Sequence, residues 1–275
     1  MEMIYFYGII FGLVSGSFVN AWVYRLDTGE SILFERSHCV SCKKKIRWYD
    51  LIPLFSFINL KGKCRDCQKP ISVEYPLVEI VTAVFYFAII YLNRFTIGNF
   101  LGWAPIIYQM LLLVFLETIF IFDLKHYLIP DDAISGAIIL AIIFQVIEGL
   151  TASYSGIDIA VLPYIFSLIT NRILAIVFAG GFLWFLAFIS KEKWMGWGDV
   201  RLALLMGLIL GYPNALIALF IAFIIGAIIG LVLILTKKES LKGMVPFAPF
   251  LIIGTITVFY WGNHISSWYW SIVGL

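Results

Sequence analysis

Charged side chains are scarce in this sequence. Only 13% of the 275 residues are charged, whereas 62% are hydrophobic, and the mean hydropathy is +0.97. A soluble domain has about 25% charged and about 45–50% apolar residues, and a disordered chain has low hydrophobicity with high net charge. The net charge of +2 also gives no bulk field that would attract nucleic acid. These deficits leave an all-α polytopic membrane protein in a lipid bilayer as the expected class.

Apolar runs long enough to cross a bilayer recur along the chain. A crossing helix needs about 20 apolar residues, and residues 3–24 contain no charge at all. Seven later runs resemble it, so we expect about eight transmembrane helices. The sixth is short, because the turn residues 211–214 end it early. The expected spans are 3–24, 76–93, 103–122, 132–149, 172–190, 199–211, 214–236 and 246–266.

The basic residues predict the orientation of these spans, because cytoplasmic loops are enriched in Lys and Arg. With eight spans and the N-terminus outside, the inner segments are 25–75, 123–131, 191–201 and 237–245. They contain 17 of the 19 basic residues, and only Arg94 and Arg172 fall on the outer side. We therefore expect both termini outside the cytoplasm. The predicted parts are a first helix (1–24), a cytoplasmic loop domain (25–75) and a seven-helix membrane domain (76–275).

All four cysteines lie in the first loop, which is too small to build a hydrophobic core of its own. They form two Cys-x-x-Cys pairs separated by 21 residues, close to the spacing of structural zinc sites. The cytosol keeps thiols reduced, which disfavours the alternative of two disulfides. His38 is a fallback ligand, although a solvated surface role suits it better. The predicted zinc ligands are Cys39, Cys42, Cys64 and Cys67.

Carboxylates at the ends of spans are the best candidates for chemistry, because ionisable groups there are costly. Asp123 ends the third span, and Asp199 follows two glycines at the start of the sixth. The predicted topology puts both at the inner face. Two adjacent carboxyls share a proton, so one acts as general base on water while the other polarises a peptide carbonyl. The pair would titrate as one coupled system.

Other acidic residues have structural alternatives. Asp131 and Asp132 follow Pro130 in a pattern typical of a turn and helix cap. Asp199 alone would also suit an N-cap. Glu79 and Glu117 are either buried hydrogen-bond partners, contacts for a substrate charge, or side chains with no chemical role. No Ser-His-Asp or Cys-His arrangement competes with the aspartates, because the three histidines are scattered and the cysteines are already engaged.

The chain resembles the type IV prepilin leader peptidases, which are intramembrane aspartyl proteases with a Gly-x-Gly-Asp motif. The resemblance covers nearly the whole chain. It is carried by residues 16–20, the segments around the two cysteine pairs, Asp123 seven residues before Pro130, the motif at 196–199 and residues 246–250. In this resemblance Asp123 and Asp199 match the two catalytic aspartates. Departures are small and remove no carboxylate or thiolate: they are Val40, Trp197, Arg201 and Ala248.

The resemblance implies a bifunctional enzyme of the bacterial inner membrane. Such an enzyme removes the basic leader of prepilins or pseudopilins at the cytoplasmic face. It then methylates the new N-terminal residue with S-adenosylmethionine. Family members with the four-cysteine loop tend to be bifunctional. No glycine-rich nucleotide loop is visible, so the sequence identifies no residues that bind the methyl donor.

Two alternatives stay open at this point. The protein could be a membrane-bound N-methyltransferase that has lost cleavage. It could also be a transporter-like protein whose acidic residues form an ion path. The second alternative requires Asp123 and Asp199 to line a continuous pore, and their common predicted location at the inner face argues against it.

Overall fold

The computed structural model describes residues 2–32, 35–95, 97, 102–154, 161–236 and 245–273. The regular secondary structure in these ranges is helical, apart from two isolated bridges, His38 with Lys45 and Lys63 with Pro70, and turns and irregular segments connect the helices. This confirms the predicted all-α class. The helices are α1 (Glu2–Thr28), α2 (Phe55–Asn59), α3 (Glu74–Leu92), α4 (Trp103–His126), α5 (Asp131–Tyr154), α6 (Val161–Ala175), α7 (Gly181–Ser190), α8 (Trp197–Leu210), α9 (Asn214–Leu235) and α10 (Ala248–Val273).

Each of the eight expected spans is occupied by helix. A π-helical segment, Ile176–Gly180, joins α6 to α7. These elements form one continuous helical segment that ends where the predicted span 172–190 ends but begins earlier, at Val161. Six helical segments of the described chain are long and apolar enough to cross a membrane. They are Glu2–Thr28, Glu74–Leu92, Trp103–His126, Asp131–Gly149, Phe166–Ser190 and Asn214–Leu235. Neither α8 nor α10 belongs to this set.

The chain divides into two compact units, residues 1–118 and 119–275. The division predicted from the sequence, with boundaries after residues 24 and 75, differs from this one and stays a prediction.

In the first unit, α1 and α3 pack closely along a stripe of glycines. Gly8, Gly12 and Gly16 recur every four residues and therefore share one helix face. A Cβ atom at position 12 would lie 2.5 Å from the Cα of Ala83. The two helix backbones can approach this closely only because glycine has no side chain, as is common for helix pairs in membranes.

In the second unit, α8 is the central helix. Its buried residues cover most of its circumference, and they are Val200, Leu202, Ala203, Leu205, Met206, Gly207 and Ile209. The neighbouring helices α5, α6, α9 and α10 and the π-helical segment all contact it. Because α8 is enclosed by protein, its 14 residues need not match the thickness of the hydrocarbon layer.

Side chains of other helices satisfy the C-terminal end of α8. The last carbonyls of a helix lack partners within the helix. Gln145 of α5 donates to the carbonyl of Leu208 at 2.7 Å, and Arg172 of α6 donates to that of Ile209 at 2.5 Å. A cation there also complements the helix dipole. Arg172, one of the two basic residues outside the predicted inner segments, therefore caps α8.

Candidate functional site

Asp123 lies in the last turn of α4 and is buried, with 5% of its surface exposed. The backbone N–H of Ala248, the first residue of α10, donates to its carboxyl group. Its Oδ2 atom is buried and has no hydrogen-bond partner among the described residues. An unsatisfied buried oxygen is costly and calls for a functional explanation.

Asp199 lies in the first turn of α8. The backbone N–H of Gly196 donates to its Oδ2 at 3.2 Å, which fixes the carboxyl at the N-terminal end of the helix. The alternative of an N-cap role for Asp199 is therefore wrong: Gly196 is the N-cap, and Asp199 at the third helical position accepts from the N-cap backbone, as the third residue of a capping box does. The carboxyl groups of Asp123 and Asp199 also lie close enough for their charges to interact. The second unit thus brings together two carboxyls that are 76 positions apart in the sequence.

The segment after Asp123 packs on the glycine motif. The side chain of Ile129 lies over Gly198, where an added Cβ would come within 3.1 Å of the Ile129 Cβ. Nothing in the sequence identified Ile129 as the residue that packs on Gly198. The contact holds the chain between α4 and α5 against the turn that carries Asp199.

An ion pair connects the same two segments. The Arg201 guanidinium donates to the carboxylate of Asp131, the first residue of α5. The sequence indicated only a turn and cap role for Asp131, and nothing in its pattern identified Arg201 as a partner. Both side chains are largely exposed, at 43% and 72%, so this pair contributes positioning more than stability.

The four cysteines lie together in the first unit. Their sulfur atoms are all within 4.8 Å of one another, and they are free thiols, not disulfides. The sulfurs of Cys39 and Cys67 are 3.9 Å apart. Two thiolates bound to one tetrahedral zinc at about 2.3 Å lie about 3.8 Å apart. The cluster could therefore hold a metal ion of that kind.

The electrostatics of the thiols also suit a cation. Although burial disfavours the thiolate of Cys39, hydrogen bonds from the backbone of Cys42 and Ser41 lower its pKa to about 7. A backbone bond from Lys69 favours the thiolate of Cys67, but burial and bonds with the other thiols raise its pKa to about 11. Four neighbouring thiols cannot all ionise unless a cation offsets their charge.

The surrounding loop is held by polar contacts. Arg65 donates two hydrogen bonds to Asp50, at 2.9 and 2.7 Å, and this guanidinium keeps the pKa of the Asp50 carboxyl below its usual range. His38 is not part of the cysteine cluster. Its Nε2 lies 3.2 Å from the Tyr24 hydroxyl and 3.4 Å from Glu30, with only 15% of the side chain exposed. The expectation of a solvated surface histidine is therefore wrong.

The two glutamates within spans of the first unit have hydrogen-bond partners. Glu79 accepts from the backbone N–H of Leu54 at 2.9 Å and from the Ser17 hydroxyl. The Oε2 of Glu117 is 2.7 Å from the Thr82 hydroxyl, while its Oε1 is buried without a partner among the described residues. Of the readings left open by the sequence, a buried hydrogen-bonding role fits both.

Together, the fold and these sites define a polytopic helical membrane protein with a pair of interacting aspartates in one unit and a four-thiol cluster in the other. Two known families match successive parts of the chain. Residues 10–93 match the bacterial peptidase A24 N-terminal domain, and residues 110–231 match the type IV leader peptidase family. The chain belongs to the type IV leader peptidase family.

Curated relatives match over nearly their full length. The chain is 30% identical to the prepilin leader peptidase/N-methyltransferase of Bacillus subtilis, covering 94% of this chain and 95% of that protein. It is 28% identical to the protein of the same name from Aeromonas hydrophila, covering 94% and 91%. For the one from Pseudomonas aeruginosa the identity is 27%, covering 97% and 93%. No solved structure matches the chain. Membership in a peptidase family disfavours the transporter-like alternative.

Proposed function

We propose that this protein is a bifunctional membrane enzyme that removes the leader peptide of prepilins or pseudopilins and then N-methylates the new N-terminal residue. The observation that carries the cleavage step is the pair of carboxyls, Asp123 and Asp199, which interact within one unit of a leader peptidase family member. The names of the full-length relatives support the combination of both activities.

Cleavage uses the two aspartates as a coupled acid and base. One carboxylate removes a proton from a water molecule, whose oxygen attacks the scissile carbonyl carbon. The other carboxyl donates a hydrogen bond to the carbonyl oxygen and then a proton to the leaving amine. The N–H groups of Gly196 and Ala248 hold the two carboxyls in place. The Oδ2 of Asp123, which has no hydrogen-bond partner in the described part of the chain, is available for the water or the substrate.

The distribution of basic residues supports a cytoplasmic location for this chemistry. With Asp123 and Asp199 at the inner face of an inner-membrane protein, the cysteine loop is also cytoplasmic and both termini are outside. A leader rich in basic residues stays in the cytoplasm, because Lys and Arg favour that side of the membrane. The junction between the leader and the hydrophobic pilin helix therefore lies at the same membrane depth as the two aspartates.

The four thiols would hold a structural zinc ion. Cys39, Cys42, Cys64 and Cys67 provide a complete tetrahedral set, which leaves no open position for catalysis. The ion would fold a loop whose described residues include no buried apolar side chain, because metal binding then supplies the free energy of folding. The nearby Lys and Arg residues offset the charge of the thiolates.

Methylation requires S-adenosylmethionine as donor. When bound, it would supply an electrophilic methyl group to the neutral N-terminal amine and leave as the neutral thioether, and the methylated amine would lose a proton to water. This step must follow cleavage, because cleavage creates the free amine.

Mass spectrometry of the N-terminus of a co-expressed prepilin tests both activities. Expression with this protein should convert the precursor to a shortened chain whose first residue carries one extra methyl group. A control strain without the enzyme should keep the full-length precursor. A shortened but unmethylated pilin would contradict the methyltransferase proposal, and an intact precursor would contradict the peptidase proposal.

A further inference from the structure

The first unit contains a cavity between the C-terminal end of α1, the cysteine loop and the start of α3. Its volume is about 400 Å³, within the range of about 300–1,000 Å³ typical of sites for small organic ligands. Apolar and aromatic side chains form much of its wall, including Tyr24, His38 and Phe57. The cavity lies within residues 17–79 and contains none of the proposed catalytic aspartates.

Two buried charges of opposite sign line this cavity. Arg25 is 9% exposed and Glu79 is 8% exposed. The Arg25 guanidinium donates to the backbone carbonyls of Ile32 and Glu35. The Glu79 carboxylate accepts from the backbone of Leu54 and from the Ser17 hydroxyl. Their hydrogen-bond partners are therefore neutral groups.

Buried charges are normally paired, because removing an ion from water costs several kcal/mol unless an opposite charge compensates it. Among the residues that the structure describes, neither Arg25 nor Glu79 takes part in an ion pair. A ligand that presents an anionic group to Arg25 and a cationic group to Glu79 would satisfy both. The cavity thus favours a zwitterionic ligand with an additional flat apolar part.

We propose that this cavity binds the methyl donor S-adenosylmethionine, an inference that rests on the proposed methyltransferase function. The carboxylate of the donor's methionine part pairs with Arg25. Its ammonium or sulfonium group faces Glu79, and the adenine ring packs among the aromatic side chains. These residues would bind the donor through charge pairing and ring packing, so the site needs no glycine-rich nucleotide loop.

The proposal also assigns a role to the cysteine cluster. Cys39 and Cys64 belong to the wall of the cavity, so the fold of the metal-binding loop shapes the donor site. The aspartate pair lies in the other unit, so the two activities depend on different units of the chain.

Binding of S-adenosylmethionine to the purified full-length protein in lipid nanodiscs tests the assignment, with no pilin present and hence no turnover. Isothermal titration calorimetry should show that Glu79→Gln weakens binding by about 10- to 100-fold, because a charge-assisted contact contributes about 1.5–3 kcal/mol. The amide still accepts from Leu54, so a purely structural role of Glu79 would leave the affinity unchanged. Glu74→Gln, an exposed change on the same helix, is the control and should bind normally.

A second variant keeps the test decisive if Glu79→Gln impairs folding, which its zinc content and melting temperature report. Ala21 lines the cavity one helical turn before Arg25, and Ala21→Phe fills the space without removing a hydrogen bond. It should abolish donor binding while the protein keeps its zinc. Normal binding by both variants would overturn the cavity assignment and leave the proposed function intact. A wild-type protein that cleaves prepilin but neither methylates it nor binds the donor would overturn the methyltransferase function itself, and the inference with it.

Discussion

The side chain of Ile129 packs directly on Gly198, so that a Cβ atom added at position 198 would lie 3.1 Å from the Ile129 Cβ. Ile129 belongs to the segment that follows Asp123, and Gly198 directly precedes Asp199. This contact therefore couples the positions of two carboxyls that come from distant parts of the sequence. The contact explains why the second glycine of the motif has no side chain: the space that a Cβ atom would need is taken by Ile129.

Gly198→Ala should lower prepilin cleavage by up to about tenfold. The new methyl group would force Ile129 to shift by a few tenths of an ångström, and a displacement of about 1 Å in a reacting group can cost about 100-fold in rate, so a smaller shift should cost less. Gly181→Ala is the matched control, since a Cβ atom there meets nothing within 4 Å. Initial rates with a purified prepilin would measure both. Equal rates for the two variants would contradict the proposed role of the contact.

The pair of Arg201 with Asp131 should contribute little to stability. Because both side chains are largely exposed, we expect a coupling energy of about 0–1 kcal/mol. A double-mutant cycle of Arg201→Gln and Asp131→Asn, followed by thermal unfolding, would measure it. A coupling energy above about 2 kcal/mol would mean that the pair is a structural lock.

Cys39→Ser should remove bound zinc, because three remaining thiolates with a hydroxyl hold the ion far less tightly than four thiolates. Elemental analysis of the purified protein should give about one zinc ion per chain for the wild type and close to none for the variant. Ser41→Ala changes a side chain of the same turn and should keep the ion. Full zinc content in Cys39→Ser would indicate other ligands.

Gly12→Val should destabilise the first unit, since its side chain would enter the backbone of Ala83. Overpacking costs about 1–3 kcal/mol in ordinary cores, and backbone here leaves less room to adjust. We expect the melting temperature in detergent to fall by about 5 °C or more. Gly230→Val, at a helical glycine with open space around it, should change it little. An unchanged melting temperature for Gly12→Val would contradict the close packing of α1 and α3.

The sequence was sufficient to predict the helices and the thiol cluster, because both depend on local patterns. Long apolar runs identify α1, α3, α4, α5 and α9 without knowledge of their neighbours. The spacing of the cysteines within two tight turns predicts their convergence. Matching depth at one membrane face was enough to suggest that Asp123 and Asp199 meet.

Features that depend on packing between distant segments were not predictable. Nothing in the sequence near Arg201 indicates a partner 70 residues away. The enclosure of α8 and its capping by Gln145 and Arg172 depend on how α5 and α6 pack around it. The burial of Arg25 was also missed, because a basic residue at a helix end normally lies in solvent. Hydropathy describes each segment alone, whereas these features belong to pairs of segments.

The most direct test of the account is prepilin processing by single Asp→Asn variants, which keep the size of the side chain and remove its acid–base function. Asp123→Asn and Asp199→Asn should each reduce the cleaved fraction by at least about 100-fold, with zinc content and melting temperature preserved. Asp131→Asn, an exposed acidic neighbour, should retain at least about a tenth of the wild-type rate. Normal leader removal by either Asp123→Asn or Asp199→Asn would contradict the paired-aspartate mechanism.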